Sequence, residues 1–279
     1  MKIKHIIKIL LLSTYCIHFM SCNDSYAEEH FMANIWEDKN FNYQYYNDNV
    51  IIFDEAYQQR VIDLCSQSEN RNKSIALFGG SHTCSTYSSI YRKYIEEHLN
   101  ATITVYGVGG QGFATSSGNV QEQVDRAGIH DIYILWCSTN DLAANIYPGT
   151  IFDFTSVDGY NQKARNTQCG GINYCIKTIR EKHPDAKILM LGSQKFFTSE
   201  IGCTWNSSKT NTLGYPYSHY IMLQAACAQQ AKIPFFDTWN TLPITTVNYK
   251  PYFLSDHLHN SKTGYANIAL YHLEFIATH

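Results

Sequence analysis

Charge is scarce in this chain, and what there is shows no bias toward positive. Lys and Arg number 21 against 24 Asp and Glu, for a net charge of −3, and no basic cluster lies beyond the extreme N-terminus. The electrostatic footprint of a nucleic-acid-binding protein is therefore missing. No two cysteines stand at CxxC spacing, which speaks against a zinc site or a dithiol redox centre. Internal repeats and low-complexity tracts are absent. The apolar run from Ile9 to Met20 is too short to span a bilayer comfortably. By contrast, 44% of the 279 residues are hydrophobic and only 16% charged, enough to build the core of one large domain.

Residues 1–21 read as an export signal: Lys2, Lys4 and Lys8 precede the short apolar run. Two endings compete. Phe19-Met20-Ser21-Cys22 has the form of a lipobox, with Cys22 lipidated as the mature N-terminus; Ser25-Tyr26-Ala27 offers ordinary cleavage instead. Ser21 before the cysteine and Asn23-Asp24 after it favour the lipid anchor, and either ending takes the protein out of the cytoplasm. Outside the cytoplasm cysteines can pair. Cys169 with Cys175 or Cys203, in loop-like sequence, are the candidates, while Cys84 and Cys137 beside apolar strands read as small buried hydrophobes.

Residues 22–73 read as a tether and an N-terminal element, with a helix-like stretch over 55–65. From Ser74 onward strand and helix patterns alternate. Strands are expected at Ile75–Phe78, Thr102–Tyr106, Ile132–Trp136, Lys187–Leu191 and Ile233–Phe236. Helices are expected near Ser88–Leu99, Val120–Ala127, 160–182 (interrupted at Gly170-Gly171), Ser218–Ala231 and Lys262–Ala277. This alternation predicts an α/β fold: a three-layer α/β/α sandwich around a five-stranded parallel sheet, flavodoxin-like in strand order, over 74–279.

Each strand-to-helix junction then falls on one rim of the sheet, and four junctions carry chemistry. At the first, Phe78-Gly79-Gly80-Ser81 ends a strand and delivers a hydroxyl to the rim; alone, such turns are mostly ordinary connections. The second, Gly107-Val108-Gly109-Gly110-Gln111-Gly112, formally contains GxGxxG but follows the wrong strand for a dinucleotide site, and Asp131 lies on the wrong rim to bind ribose. Its glycines suit a loop whose N–H groups face a ligand, Gly110 among them. The third, Ser138-Thr139-Asn140-Asp141, offers the Asn140 amide, or merely a helix cap. The last, Asp256-His257-Leu258-His259, places a carboxylate three residues before a histidine, so that Asp256 can orient His259 toward a hydroxyl. Surface histidines or an Asp-His-x-His metal patch are the alternatives, and no second ligand cluster supports a metal. His82, next to Ser81, reads as an exposed histidine.

In order and spacing these four blocks resemble those of the SGNH (GDSL-type) hydrolases, over about 74–279. Two positions depart from that family's pattern: Gly80 stands where it typically has Asp, and Ser138 where it has Gly. The resemblance implies a serine esterase with Ser81 as nucleophile and His259 and Asp256 as base and orienter. The oxyanion donors would be the Ser81 and Gly110 N–H groups and the Asn140 amide, and no metal or organic cofactor is required. Export, the Cys22 anchor, and 21 tyrosines with 4 tryptophans point to acylated glycans as substrate and to a carbohydrate O-acetylesterase. A lipase or broad short-chain esterase is the alternative, with the loops at 142–159 and 193–216 shaping the pocket. A non-catalytic glycan-binding lipoprotein on the same scaffold is the competing class.

Overall fold

Two stacks of alternating side chains explain the architecture of this chain. The computed structural model describes residues 55–85, 88–154, 164–196, 210–244 and 248–279, all within one compact unit. The proposed signal, Cys22, the cleavage site after Ala27 and Cys203 lie outside the described residues.

Five strands, β1 (Ser74–Phe78), β2 (Thr102–Val105), β3 (Ile132–Trp136), β4 (Lys187–Leu191) and β5 (Phe235–Phe236), form one sheet in the order β2-β1-β3-β4-β5. Every pairing is parallel, as in Ile75 opposite Ile103 on one side and Ile132 on the other. All five residues of β3 are buried, as a strand covered on both faces must be.

Because successive side chains point to opposite faces, the strands feed two cores. Ile75, Leu77, Ile132, Ile134, Trp136, Leu189 and Leu191 meet one helical layer: α1 (Glu55–Gln67), α3 (Ser88–Leu99) and the last helix, α9 (Lys262–Thr278). Ala76, Phe78, Tyr133, Leu135, Cys137, Ile188 and Met190 meet the other: α4 (Val120–Asp125), α6 (Gln168–Lys182) and α7 (Tyr217–Ala231). Full burial of one such aliphatic side chain stabilises by about 1.5–3 kcal/mol, and Ile134→Ala, emptying the centre of the first core, would cost about 2–5 kcal/mol. Between these helices lie three single-turn helices: α2 (Ser81–Cys84), α5 (Asn140–Ala143) and α8 (Thr238–Thr241).

The strand order has one reversal, between β1 and β3. Open α/β sheets bind ligands at that switch point, beyond the carboxyl ends of the strands. Ser81 follows β1 and Asn140 follows β3, so both stand there.

Local expectations fail at three places. Gly170-Gly171 does not interrupt a helix; the pair lies in the first turn of α6, whose N-cap Thr167 accepts from the Gly170 N–H. A β-carbon on Gly171 would stand 2.7 Å from the Phe113 carbonyl oxygen, so glycine there answers a close loop approach. Cys169 and Cys175 are not paired: both are free and buried on α6, and the Cys169 thiol hydrogen-bonds with Cys227 of α7. Cys137 is buried, but Cys84 is exposed: on α2 it is His82 and Thr83 that turn inward. Among the described residues no helix is long and apolar enough to cross a membrane.

Candidate active site

Ser81 opens α2 directly behind β1. The turn before it is gripped by buried Gln123 of α4, whose Oε1 accepts from the Gly79 N–H at 3.0 Å and whose Nε2 donates to the Gly79 carbonyl at 3.1 Å. Such a two-point grip on a backbone amide fixes where the next residues emerge.

His259 comes from the loop ahead of α9. The start of that helix is set by Ser261, whose hydroxyl accepts from the Gly264 N–H. Ser81 Oγ lies 2.8 Å from His259 Nε2, and His259 Nδ1 lies 2.7 Å from Asp256 Oδ2. An ionised carboxylate only accepts, so Nδ1 carries the ring proton and Nε2 accepts from the serine hydroxyl. Asp256 Oδ1 also accepts from the N–H groups of Leu258 (3.0 Å) and His259 (2.9 Å). Partial burial opposes ionisation of Asp256, but these three hydrogen bonds and the nearby imidazole outweigh it and hold its carboxyl below the ordinary value. Serine, histidine and aspartate thus form one hydrogen-bonded chain.

The second junction packs against the turn that precedes Ser81. Val108 N–H donates to the Gly79 carbonyl at 3.1 Å, bringing the loop onto the β1 turn. Gly110 has φ +76° and open space where a β-carbon would stand, a backbone state that suits glycine. Two glycines of the GxGxxG pattern serve packing: a β-carbon on Gly107 would collide with Thr83, and one on Gly112 would stand 2.5 Å from the Asp141 carboxyl carbon.

The third junction ties to the second through one carbonyl. Gln111 O accepts from Asn140 Nδ2 at 2.9 Å and from Ser138 Oγ at 3.3 Å. An amide has two N–H groups, so Asn140 keeps one for another acceptor. Asn140 is the first residue of α5, and Thr139 precedes it as N-cap without a side-chain bond, so Asn140 is not the cap. Fully buried Asp141 accepts from the N–H groups of Phe113 (2.8 Å) and Ala114 (2.9 Å). Burial pushes its carboxyl up to about 6 even though both backbone bonds pull the other way.

Both departures from the expected blocks have a physical role. Ser138 uses its hydroxyl to bond Gln111 and to accept from the Asn140 N–H at 3.3 Å. Gly80 has no room for a side chain, since its β-carbon would stand 2.7 Å from the Gln111 carbonyl oxygen.

His82 corrects the sequence reading. It is 3% exposed, its ring 6.0 Å from that of Trp136 and 5.7 Å from that of His259. Burial, reinforced by His259 beside it, drives its basicity down to about 3, so it is neutral. Sequence reasoning also missed Gln123 and the carbonyl of Gln111. Neither residue type has a spacing that marks it. Among the described residues no group of three His, Cys, Asp or Glu could hold a metal ion.

Comparison with known proteins shows the family and the fold. Residues 74–266 match the model of the GDSL-like lipase/acylhydrolase family. Among solved structures, a protein from Lactobacillus plantarum superposes with a TM-score of 0.57 at 18% identity, covering 71% of this chain and 93% of that one. A possible lipase from Chitinophaga pinensis gives 0.53 at 20% identity, covering 71% and 95%. A peptidoglycan O-acetylesterase gives 0.52 at 12% identity, covering 78% and 93%. Among curated proteins none matches. The fold is α/β with a five-stranded parallel sheet, and the family match makes the protein a carboxylic ester hydrolase. More particularly, the chain belongs to the GDSL-like lipase/acylhydrolase family.

Proposed function

We propose that the protein is a serine esterase that removes O-acetyl groups from carbohydrate, with Ser81, His259 and Asp256 as its triad. The observation that carries this reading is the hydrogen-bonded chain from Ser81 Oγ through His259 to Asp256.

In this reading Ser81 Oγ attacks the ester carbonyl carbon as His259 Nε2 takes the hydroxyl proton. Asp256 keeps Nδ1 protonated and stabilises the imidazolium that forms. Negative charge gathers on the former carbonyl oxygen, which the Ser81 and Gly110 N–H groups and the free N–H of Asn140 receive. One such donor is worth about 100–1,000-fold in rate, roughly 3–4 kcal/mol. As the intermediate collapses, the C–O bond to the alcohol breaks and His259 returns its proton to the leaving oxygen. Water, deprotonated by His259, then attacks the acyl-serine, and a second collapse releases the acid and restores Ser81. The chemistry needs no added group.

The choice of a small acyl group on a large alcohol rests on exposure. The side chains of His259 and Asp256 are 29% and 47% exposed, so the base stands at a rim where a bulky alcohol can remain outside. We further propose export and a lipid anchor at Cys22, which would hold the enzyme at a membrane surface near glycan substrates. Mass spectrometry of the mature N-terminus tests this: an acylated Cys22 supports both, a start after Ala27 keeps export and refutes the anchor, and an uncleaved N-terminus refutes both.

Activity is tested by acetate release from O-acetylated peptidoglycan, acetylated xylan and pectin, and from p-nitrophenyl esters of increasing chain length. Release from a glycan that disappears with Ser81→Ala supports the proposal. Preference for long acyl chains would make the enzyme a lipase, and glycan binding without any turnover would make it a binding protein.

A further inference from the structure

A buried glutamine outside the four junctions touches both sides of the reacting pair. Gln194 follows β4 and is 2% exposed. Its Oε1 accepts from Asn260 Nδ2 at 2.9 Å, and its Nε2 donates to the Leu258 carbonyl at 3.2 Å. Asn260 and Leu258 are the two chain neighbours of His259. The same Nε2 stands 3.5 Å from Nδ1 of His82, the chain neighbour of Ser81.

Gln194 is itself anchored. Its carbonyl accepts from the Tyr217 hydroxyl at 3.4 Å. The preceding Ser193 donates its N–H to Gln224 Oε1 at 3.0 Å, and Gln224 Nε2 reaches Ser193 Oγ (2.9 Å) and Gln168 Oε1 (3.1 Å). Gln168, Ser193 and Gln224 are fully buried. A polar chain in the low-dielectric interior, once satisfied, is stiff. It runs from α6 and α7 past the end of β4 to the loop that carries His259.

That loop needs an external reference. Its hydrogen bonds from Leu254 N–H to the His259 carbonyl (2.8 Å) and from Ser261 N–H to the Tyr252 carbonyl (2.9 Å) set its shape. They connect it to residues near in sequence and say nothing of its distance from β1. The His82 ring fills the space between His259 and Trp136 and stays uncharged, so it packs against the general base without repelling its charged form.

We infer that Gln194 is a positioning residue for the esterase reaction, holding His259 at hydrogen-bonding distance from Ser81 by gripping both neighbours of His259 and the neighbour of Ser81. The inference rests on the assignment of Ser81 and His259 proposed above.

The test compares the parent protein with Gln194→Met, which fills the space without either bond, and Gln194→Glu, which keeps an oxygen for Asn260. Turnover of p-nitrophenyl acetate and the rate of Ser81 labelling by a fluorophosphonate are measured together with thermal unfolding. In Gln194→Met, kcat and labelling rate should both fall about 10–100-fold, the cost of a misplacement near 1 Å. KM should change less than about threefold, because the residue does not touch substrate. Gln194→Glu should recover part of the loss. A Gln194→Met enzyme within about twofold of the parent on each folded molecule would overturn the inference. So would a loss confined to KM. Should that variant not fold, Gln194→Asn, which withdraws the amide by one methylene, decides between the same outcomes. If Ser81→Ala took up the probe as fast as the parent, the assignment of the site would fail instead.

Discussion

Asn140 lies so close over Gly80 that a β-carbon there would stand 2.4 Å from its side-chain nitrogen. The missing side chain at position 80 and the placement of the amide are therefore one feature. Real β-carbons do not approach nitrogen so closely, so any substitution must push Asn140 or the Gln111 carbonyl aside. Gly80→Asp, which restores the residue usual in the family's first block, should lower kcat on p-nitrophenyl acetate about 100–1,000-fold, the cost expected for displacing the proposed oxyanion donor Asn140. Parent-like turnover would mean that the loop yields freely.

Removing the proposed oxyanion donor itself should give a similar result. Asn140→Ala is expected to cost about 100–1,000-fold in kcat. Ser138→Gly gives up only long, neutral hydrogen bonds worth about 0.5–1.5 kcal/mol and should lose roughly tenfold or less. Steady-state kinetics of the two variants side by side checks the ranking; equal losses would contradict it.

Asp256 should be the least costly member of the proposed triad to lose. In a well-characterised triad, loss of the aspartate costs about 10⁴-fold and loss of serine or histidine about 10⁶-fold. The Asp256 side chain is nearly half exposed, so water can take part of its place. Asp256→Asn should therefore retain measurable turnover where Ser81→Ala retains none above background. Because its carboxyl is held below the ordinary 3.8, its contribution to the loop is complete above that pH and is lost as pH falls through the depressed value. Carboxyl titration by NMR should find its midpoint below 3.8; a higher midpoint would contradict the hydrogen bonding described.

Asp141 should act in the opposite sense. Its carboxyl is raised from 3.8 to about 6, so the stability it lends is complete below 3.8 and is lost as pH rises through 6. A shift of that size corresponds to about 3 kcal/mol. Asp141→Asn has no such titration. The difference in urea-unfolding free energy between parent and variant should therefore move in the variant's favour between pH 4 and pH 7. A constant difference would contradict the assignment.

Thiol chemistry offers an independent check on the packing. Of the described cysteines, Cys84 is exposed, and Cys65, Cys137, Cys169, Cys175 and Cys227 are buried and free. Iodoacetamide on the native protein should modify Cys84 and reach the other five only after unfolding. A disulfide between Cys169 and Cys175 would contradict the structure.

The parts of this molecule that could be read from the sequence are those with a local signature. Ser81 stood out because an apolar run stops at two glycines, and Asp256 with His259 because their spacing fits one turn of loop. Parallel topology then required all four junctions to share a rim. What stayed hidden depends on distant packing. The sequence around His82 is polar on one side, yet the ring is covered by Gln194 and the His259 loop, each more than a hundred residues away. The start of α6 was misjudged because Gly170-Gly171 reads as a break, whereas Thr167 caps the helix there and Phe113 presses on Gly171. Glutamines carry no periodic or spacing signal, so Gln123 and Gln194 became visible only with their partners.

The proposed nucleophile Ser81 and its proposed base His259 lie 178 residues apart in the chain, at the first strand junction and just ahead of the last helix. Under that assignment the hydroxyl is activated only when the loop ahead of α9 is packed against the β1 turn and brings the imidazole to it. Hydrolysis is thus a gauge of completed assembly.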